Sequence, residues 1–349
     1  MSNMNPSPNP SPKAGRGAQP RTGMKEVAQR AGVAMSSVSR VLNGHSDVSD
    51  VMRNRVLDAV AALGYEPNML AQSMRTGATM TVGFVVGDIS NPLMSKIALG
   101  AETELRSAGY TTLLTNSISD SELDVAHLKE FQQRRVDGLL LSLSDETNPK
   151  VRAILAQIRV PGVLVDRHVE GATFGAALSD HSSGITSAVE HLTRLGHTTI
   201  GLVNGSPNVR PSRERARSLK RACREGGAVA VIRAGAFSTE HGYVATREML
   251  AATRPPTAII VGGNQILEGV LRGLRELRLR IPTDISLVTC DDIPLAEFLT
   301  PQIATISRDF GDLGHVAAKL LLEQLAGGPA RTELLPTAFR TADSLAPPR

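Results

Sequence analysis

The feature that most constrains the fold is a regular alternation, from Met80 onward, between short apolar runs and longer amphipathic segments. Short apolar runs between helical patterns are typical of strands in a parallel sheet that helices cover on both faces. The predicted strands are 81–86, 112–116, 138–143, 162–165, 200–203, 229–234, 258–261 and 285–289, and helices are predicted over 92–108, 121–135 and 149–158. About ten strand–helix units are too many for one sheet, so the sequence predicts an α/β body of two similar lobes.

The segment before this body predicts a compact helix-turn-helix unit of three short helices. They are expected over 25–31, 36–42 and 50–63, because Gly32 and Gly64 interrupt the apolar pattern where helices commonly end. Four apolar side chains of the third helix are expected to face the other two helices: Val51, Val56, Val60 and Leu63.

The net charge of +4 lies entirely in this N-terminal part. Residues 1–78 contain nine Lys/Arg and five Asp/Glu, whereas the remainder contains 29 of each. Such a local excess of positive charge is expected where a protein meets nucleic-acid phosphates. In helix-turn-helix geometry the middle helix reads DNA, so Met35 and Ser36 would meet base edges and Arg40 could contact a guanine. Three polar residues suit phosphate contacts: Ser37, Ser39 and Asn43.

Several other classes of protein are disfavoured. No run approaches the ~18 apolar residues of a membrane span, and residues 1–22 predict a disordered tail without the apolar run of a signal peptide. Cys223 and Cys290 form neither a disulfide framework nor a metal-ligand pattern, and they suit a reducing cytoplasm. Without a phosphate-binding glycine loop, a nucleophile elbow or metal-ligand spacing, the sequence predicts no catalytic residue, no cofactor and no metal site.

The N-terminal part resembles the DNA-binding head of the LacI/GalR family of transcriptional regulators. The resemblance rests on the runs MKEVA (24–28), AGV (31–33), VSRVLN (38–43), LGY (63–65) and PN (67–68). It implies a DNA-binding head over 23–67 and a hinge over 68–79 that becomes helical on DNA. The chain departs from the family at Ala34, where Ser or Thr usually caps the reading helix.

The family's hinge inserts a leucine from each subunit into the minor groove of DNA. Met74 takes that position here, and methionine is among the apolar side chains that can wedge between base steps. Ala71 matches the small residue that lets two hinge helices approach, and Arg75 could hold the flanking DNA backbone.

The body resembles the sensor core of the same family, which is similar to periplasmic sugar-binding proteins. The resemblance implies an effector-binding and dimerisation core over 80–345, with lobe one at about 80–178 plus 310–337 and lobe two at about 179–309 plus the C-terminal end. The residues that it implies for the effector cleft are Asp88, Leu93, Met94, Asp166, Arg167, Arg215, Phe237, Gly263, Asn264, Asp291 and Phe310.

The chemistry of these positions indicates what the cleft could bind. Asp166 and Asp291 would accept hydrogen bonds from hydroxyls, and the fork of Arg215 could hold a carboxylate, a phosphate or a pair of hydroxyls. Leu93-Met94 replaces two aromatic residues that often stack on a sugar, and Gly263 replaces an amide side chain. The resemblance, taken together with these two replacements, favours an effector that is larger than a plain pyranose, or anionic.

The sequence therefore predicts a cytoplasmic, ligand-responsive transcriptional repressor. It would bind a pseudo-palindromic operator in double-stranded DNA as a homodimer, and a sugar, sugar acid or related metabolite would switch it. Three alternatives stay open: control by a protein partner, activation instead of repression, and a cytoplasmic solute-binding protein without a DNA function.

Overall fold

A computed structural model describes residues 23–42, 44–45, 47–65, 77–291 and 299–349. The chain divides into two compact units, Met1–Gly77 and Ala78–Arg349. Some predicted features lie outside the described residues: the tail 1–22, most of the hinge, Asn43, Ala71, Met74 and Arg75.

The first unit contains three helices, α1 (Met24–Ala31), α2 (Met35–Leu42) and α3 (Asp50–Leu63). Gly32 ends α1 in the left-handed conformation, with φ of 62°, and so permits the sharp turn into α2. At the start of α3 the Ser49 hydroxyl accepts a hydrogen bond from the Met52 amide at 3.4 Å.

The helices pack around Val27, Val38 and Val56, whose side chains are fully buried. The prediction that Val51 faces this core is wrong, because Val51 is 72% exposed. It lies five residues before Val56 and hence about 140° away around the helix. Sequence patterning also missed Arg55, which donates a hydrogen bond to the Ala31 carbonyl at 2.6 Å and so ties α3 to the turn.

The second unit contains alternating strands and helices, as predicted. Its strands are β1 (Thr81–Val86), β2 (Thr111–Asn116), β3 (Gly138–Leu141), β4 (Gly162–Val165), β5 (Gly175–Ser179), β6 (Thr199–Asn204), β7 (Val229–Ala234), β8 (Ala258–Val261), β9 (Ser286–Cys290), β10 (Ala304–Ser307), β11 (Thr332–Leu335) and β12 (Ala338–Arg340). Its helices are α4 (Pro92–Ser107), α5 (Ser121–Arg134), α6 (Pro149–Leu155), α7 (His181–Arg194), α8 (Arg210–Glu225), α9 (Thr239–Leu250), α10 (Asn264–Glu276) and α11 (Phe310–Leu325).

These strands form two six-stranded sheets, which define two lobes. The sheet of lobe one has the order β11-β5-β4-β3-β1-β2, and all its neighbouring strands are parallel. The sheet of lobe two has the order β12-β10-β9-β8-β6-β7, in which only β12 is antiparallel to its neighbour. Helices cover both faces of each sheet, so each lobe has two apolar layers.

The described chain passes between the lobes three times, at residues 179–181, 307–310 and 335–338. The crossings contact one another: the Asp180 amide donates to the Leu335 carbonyl at 2.7 Å, and the Thr337 hydroxyl donates to the Asp180 carbonyl at 2.6 Å. Residues distant in sequence are therefore brought together where the lobes join.

Candidate functional site

A cavity of about 650 Å³ lies between the two lobes, at the carboxyl ends of their parallel strands. This edge of an open α/β sheet is where ligands generally bind. The cavity is lined by ten of the eleven residues that the sequence implied: Asp88, Leu93, Met94, Asp166, Arg167, Arg215, Phe237, Gly263, Asn264 and Asp291.

The structure places the two predicted phenylalanines differently. Phe237 lines the cavity and packs so closely on Gly205 that a Cβ there would lie 2.1 Å from the Phe237 ring. Phe310 is instead 2% exposed in the core of lobe one and does not line this cavity. Its ring lies beneath the guanidinium of Arg308, 4.4 Å from the ring centroid.

Arg308 is the central charged group at the base of the cleft. Its Nε donates to Asp291 of lobe two at 2.9 Å, and its Nη1 donates to the Ser179 hydroxyl at 2.9 Å and to the carboxylate of Asp166 in lobe one. Burial lowers the pKa of the guanidinium, but Asp291 and Asp166 outweigh that effect and raise it. Arg308 therefore links the lobes as a permanent cation.

Asp166 and Asp291 follow strands β4 and β9 with left-handed backbones, at φ of 52° and 84°. Non-glycine residues in this region are uncommon and concentrate at functional sites. Burial raises the pKa of the Asp166 carboxyl, but His181 and Arg308 bring it well below its usual range. Arg210 adds a further contact to Asp166, with Nη1 3.2 Å from the carboxylate.

His181 is buried beside Asp166, with Nε2 3.1 Å from the nearer carboxylate oxygen. Burial, aided by Arg215 and Arg308, lowers the pKa of His181 to about 4 although Asp166 opposes the shift. At neutral pH the imidazole is therefore uncharged and donates a hydrogen bond to a carboxylate.

Arg215 is held by the protein more fully than the sequence implied. Its Nη1 donates to the Gly262 carbonyl at 2.6 Å, and its Nη2 lies 3.6 Å from Asp291. Within the described residues its buried Nε has no hydrogen-bond partner. The Nη1 is thus taken by the protein and the Nη2 faces a carboxylate, so the fork is not free to grip an anion.

Polar contacts also join the lobes around the mouth of the cleft. On one side Asn264 donates to the Asn91 side chain at 3.0 Å, and Gln265 donates to Asp88 at 3.1 Å. On the other side Asn208 donates to Asp145 at 2.8 Å. Beside it Arg213 pairs with Glu146, whose side chain is fully buried.

The charged residues that line the cavity are five carboxylates and three guanidinium groups: Asp88, Asp120, Asp145, Asp166, Asp291, Arg167, Arg215 and Arg308. Carboxylates are thus in excess, and Arg308 is already paired with two of them. A cleft of this kind offers many hydrogen-bond acceptors and few open donors, which suits hydroxyl groups better than an anion.

In the first unit, α2 presents a polar surface that could meet DNA. Met35 is 51% exposed, Ser36 and Arg40 are exposed, and Ser37 and Ser39 are half-buried. Arg40 forms an ion pair with Asp47. Because both side chains are about half exposed, this pair is weak and could yield to a DNA contact.

Sequence reasoning missed five polar or charged residues at the crossings and at the mouth: Glu146, His181, Asn208, Arg210 and Arg308. The sequence signal that could have identified Arg308 is its position directly after β10, but the four-residue strand Ala-Thr-Ile-Ser was not predicted.

In the described part of the chain, no group of three or more His, Cys, Asp or Glu could hold a metal ion. Among the described helices, none has the length and apolar character needed to span a membrane.

Two protein-family models match the chain. Residues 23–68 match bacterial regulatory proteins of the lacI family, and residues 189–344 match a periplasmic binding protein-like domain. The ribose operon repressor of Escherichia coli (strain K12) is 31% identical over 306 residues, which cover 86% of this chain and 92% of that protein.

Solved structures agree with this relationship. The lac repressor dimer bound to operator and the anti-inducer ONPF has a TM-score of 0.81 at 27% identity, covering 93% of this chain and 99% of that one. A LacI family transcriptional regulator from Enterococcus faecium with bound ribose has a TM-score of 0.68 at 29% identity, covering 77% and 100%.

Proposed function

This chain belongs to the LacI family of bacterial regulatory proteins, and from that premise we propose that it represses transcription as a homodimer on a pseudo-palindromic operator. A small neutral polyhydroxylated metabolite in the cleft between the lobes switches it. The chain is a ligand-responsive DNA-binding regulator.

The observation that carries the effector class is the excess of carboxylates along the cleft, together with the pairing of Arg215 and Arg308. Carboxylate oxygens accept hydrogen bonds from sugar hydroxyls, whereas an anionic group would be repelled by them. Phe237 supplies an aromatic wall. This arrangement favours a neutral sugar over an anionic effector, which was one of the two kinds that the sequence favoured; the other was an effector larger than a plain pyranose.

The switch follows from the contacts that join the lobes. An effector that touches both lobes stabilises the arrangement in which Asn264 meets Asn91 and Asn208 meets Asp145. Only a difference in affinity between two lobe arrangements can drive a change in DNA binding. The contacts at the mouth and the Arg308 link supply the elements whose geometry differs between such arrangements.

For DNA, α2 lies in the major groove with Met35 and Ser36 at base edges and Arg40 on a guanine. The hydroxyls of Ser37 and Ser39 contact phosphates. Met74, outside the described residues, wedges into the minor groove, where Ala71 and Arg75 support it.

The operator is tested by binding-site selection on the full chain, followed by titration of the selected duplex. We expect Arg40→Ala to weaken binding by about 1–3 kcal/mol and to relax one base position in each half-site. Lys129→Ala, an exposed change on α5, is the matched control and should leave affinity unchanged. Equal affinity of Met74→Gly and the parent protein for the operator would refute the wedge.

The effector is tested by calorimetry with neutral aldoses and their acids at equal ionic strength. We expect a neutral aldose to bind best, and Phe237→Leu to weaken it about tenfold, since the ring forms one wall. Phe174→Leu, at a half-buried ring of lobe one outside the cleft, should bind like the parent protein. Tighter binding of a sugar acid would contradict the neutral class while leaving the DNA function standing.

A further inference from the structure

A second cavity, of about 580 Å³, lies in lobe two on the far side of α8 from the effector cleft. Arg215 lines the cleft, whereas helical periodicity places the cations of this cavity on the opposite face of α8. Five cations line it: Arg213, Arg217, Lys220, Arg221 and Arg224. They form one row about 16 Å long, because they recur at spacings of three and four residues.

Within the described residues, three of these five cations have no carboxylate partner: Lys220, Arg221 and Arg224. Arg213 pairs with Glu146 and Arg217 with Glu214, while Arg221 donates to the uncharged Ser182 hydroxyl at 2.7 Å. Like charges four residues apart in a helix repel by about 0.2–0.5 kcal/mol per pair. The row is therefore an arrangement that a bound anion stabilises.

Among the described residues that line the cavity, none is acidic: besides the cations they are Asn204, Pro207, Ser212, Ala216 and Ala234. Lys220, Arg221 and Arg224 are exposed, so a ligand can reach them from solvent. No carboxylate of the lining therefore opposes an anion that binds along the row.

We propose that this cavity binds a small organic molecule that carries two or more phosphate groups. Its phosphates lie along Lys220, Arg221 and Arg224. Arginine forks match phosphate oxygens, and the volume lies in the usual range of small-molecule sites. Duplex DNA could also meet the row, but the cations line a concave cavity of small-molecule size, which favours the smaller ligand.

The test is calorimetry on the full chain with inorganic pyrophosphate and with adenosine diphosphate, against sulfate at equal ionic strength. We expect one site per chain for each phosphate compound. The variant K220Q/R221Q/R224Q should bind pyrophosphate at least tenfold more weakly. The control K129Q/R159Q/R254Q removes the same charge from exposed positions elsewhere and should bind like the parent protein.

A second pair of variants separates a free cation of the row from a paired one. Lys220→Gln alone should weaken pyrophosphate binding several-fold, whereas Arg217→Gln should weaken it less, because Arg217 already pairs with Glu214. No saturable binding, or equal losses in the two triple variants, would overturn the proposal. So would loss of operator affinity in the α8 variant without pyrophosphate binding to the parent protein, which would make the row a nucleic-acid contact.

Discussion

Replacing Arg308 by methionine should destabilise the second unit more than any exposed charge removal. The substitution keeps the length of the side chain but deletes the cation between Asp166 and Asp291. Both carboxylates have side chains that are only 6% exposed, and that of Arg308 is 9% exposed. Water cannot readily take the place of the guanidinium, so two buried charges lose a partner.

Removing one partner of a buried ion pair typically costs about 3–5 kcal/mol. Arg210 and His181 continue to contact Asp166, and Arg215 remains near Asp291, so the lower end of this range applies. A loss of about 3 kcal/mol lowers the melting temperature of a domain of this size by about 6–12 °C. Arg308→Lys keeps the charge but loses the two-sided fork, and should lie between the parent protein and Arg308→Met.

The assay is urea unfolding at pH 7.5, followed by circular dichroism, with Arg331→Met as the control. Arg331 also pairs with two carboxylates, Glu323 and Glu333, but on the surface. Exposed pairs contribute little, so the control should unfold close to the parent protein. The reasoning is refuted if Arg308→Met costs under about 1 kcal/mol or if the two variants lose equal stability.

Three further outcomes are expected. Burial lowers the pKa of His181 from 6.5 to about 4 in the folded protein. The free energy of unfolding should therefore fall by up to about 3 kcal/mol as the pH is lowered from 6.5 to 4, because the unfolded chain binds the proton more tightly. In urea unfolding measured at several pH values, His181→Gln should flatten this part of the profile. Gly314→Ala should destabilise the second unit by about 1–3 kcal/mol, because a Cβ there would lie 2.0 Å from a backbone oxygen of α4. Gly311→Ala on the same helix should not, since its Cβ would meet its nearest atom at 3.4 Å. Thermal unfolding of the two variants distinguishes these outcomes. Asp47→Asn should strengthen operator binding up to about fivefold by freeing Arg40, and an unchanged or weaker affinity in a gel shift would contradict this.

Short sequence patterns predicted the helix ends and the strands that depend mainly on neighbouring residues of the chain. Helices α1 and α3 of the first unit end at Gly32 and Gly64, and both glycines adopt the left-handed conformation. The apolar runs of β1 and β8 gave strands, since such runs are buried on both sides of a parallel sheet. β5 was missed because its sequence, Gly-Ala-Ala-Leu-Ser, has weak strand preference and depends on its neighbours β4 and β11.

The positions in the cleft were predictable by resemblance, whereas their partners were not. Asp166 and Asp291 line the cleft as expected, and their contact with an effector stays a prediction. Arg308 reaches Asp166 across 142 positions of sequence, and no periodicity encodes such a contact. Phe310 follows the same crossing, yet its backbone position at the start of α11 directs its ring into the core of lobe one.

The three crossings also determine when this protein can fold during its synthesis. Lobe one contains β5, which ends at Ser179, and β11, which ends at Leu335. At about 5–20 residues per second, a ribosome needs about 8–30 s to make the chain between them. For most of that interval, until residue 325 has been made, α11 is incomplete, and the apolar residues Ile97 and Leu105 of α4 lack the helix that covers them. The nascent chain must therefore survive with an unfinished core, and chaperones that shield apolar surface should matter most in this interval.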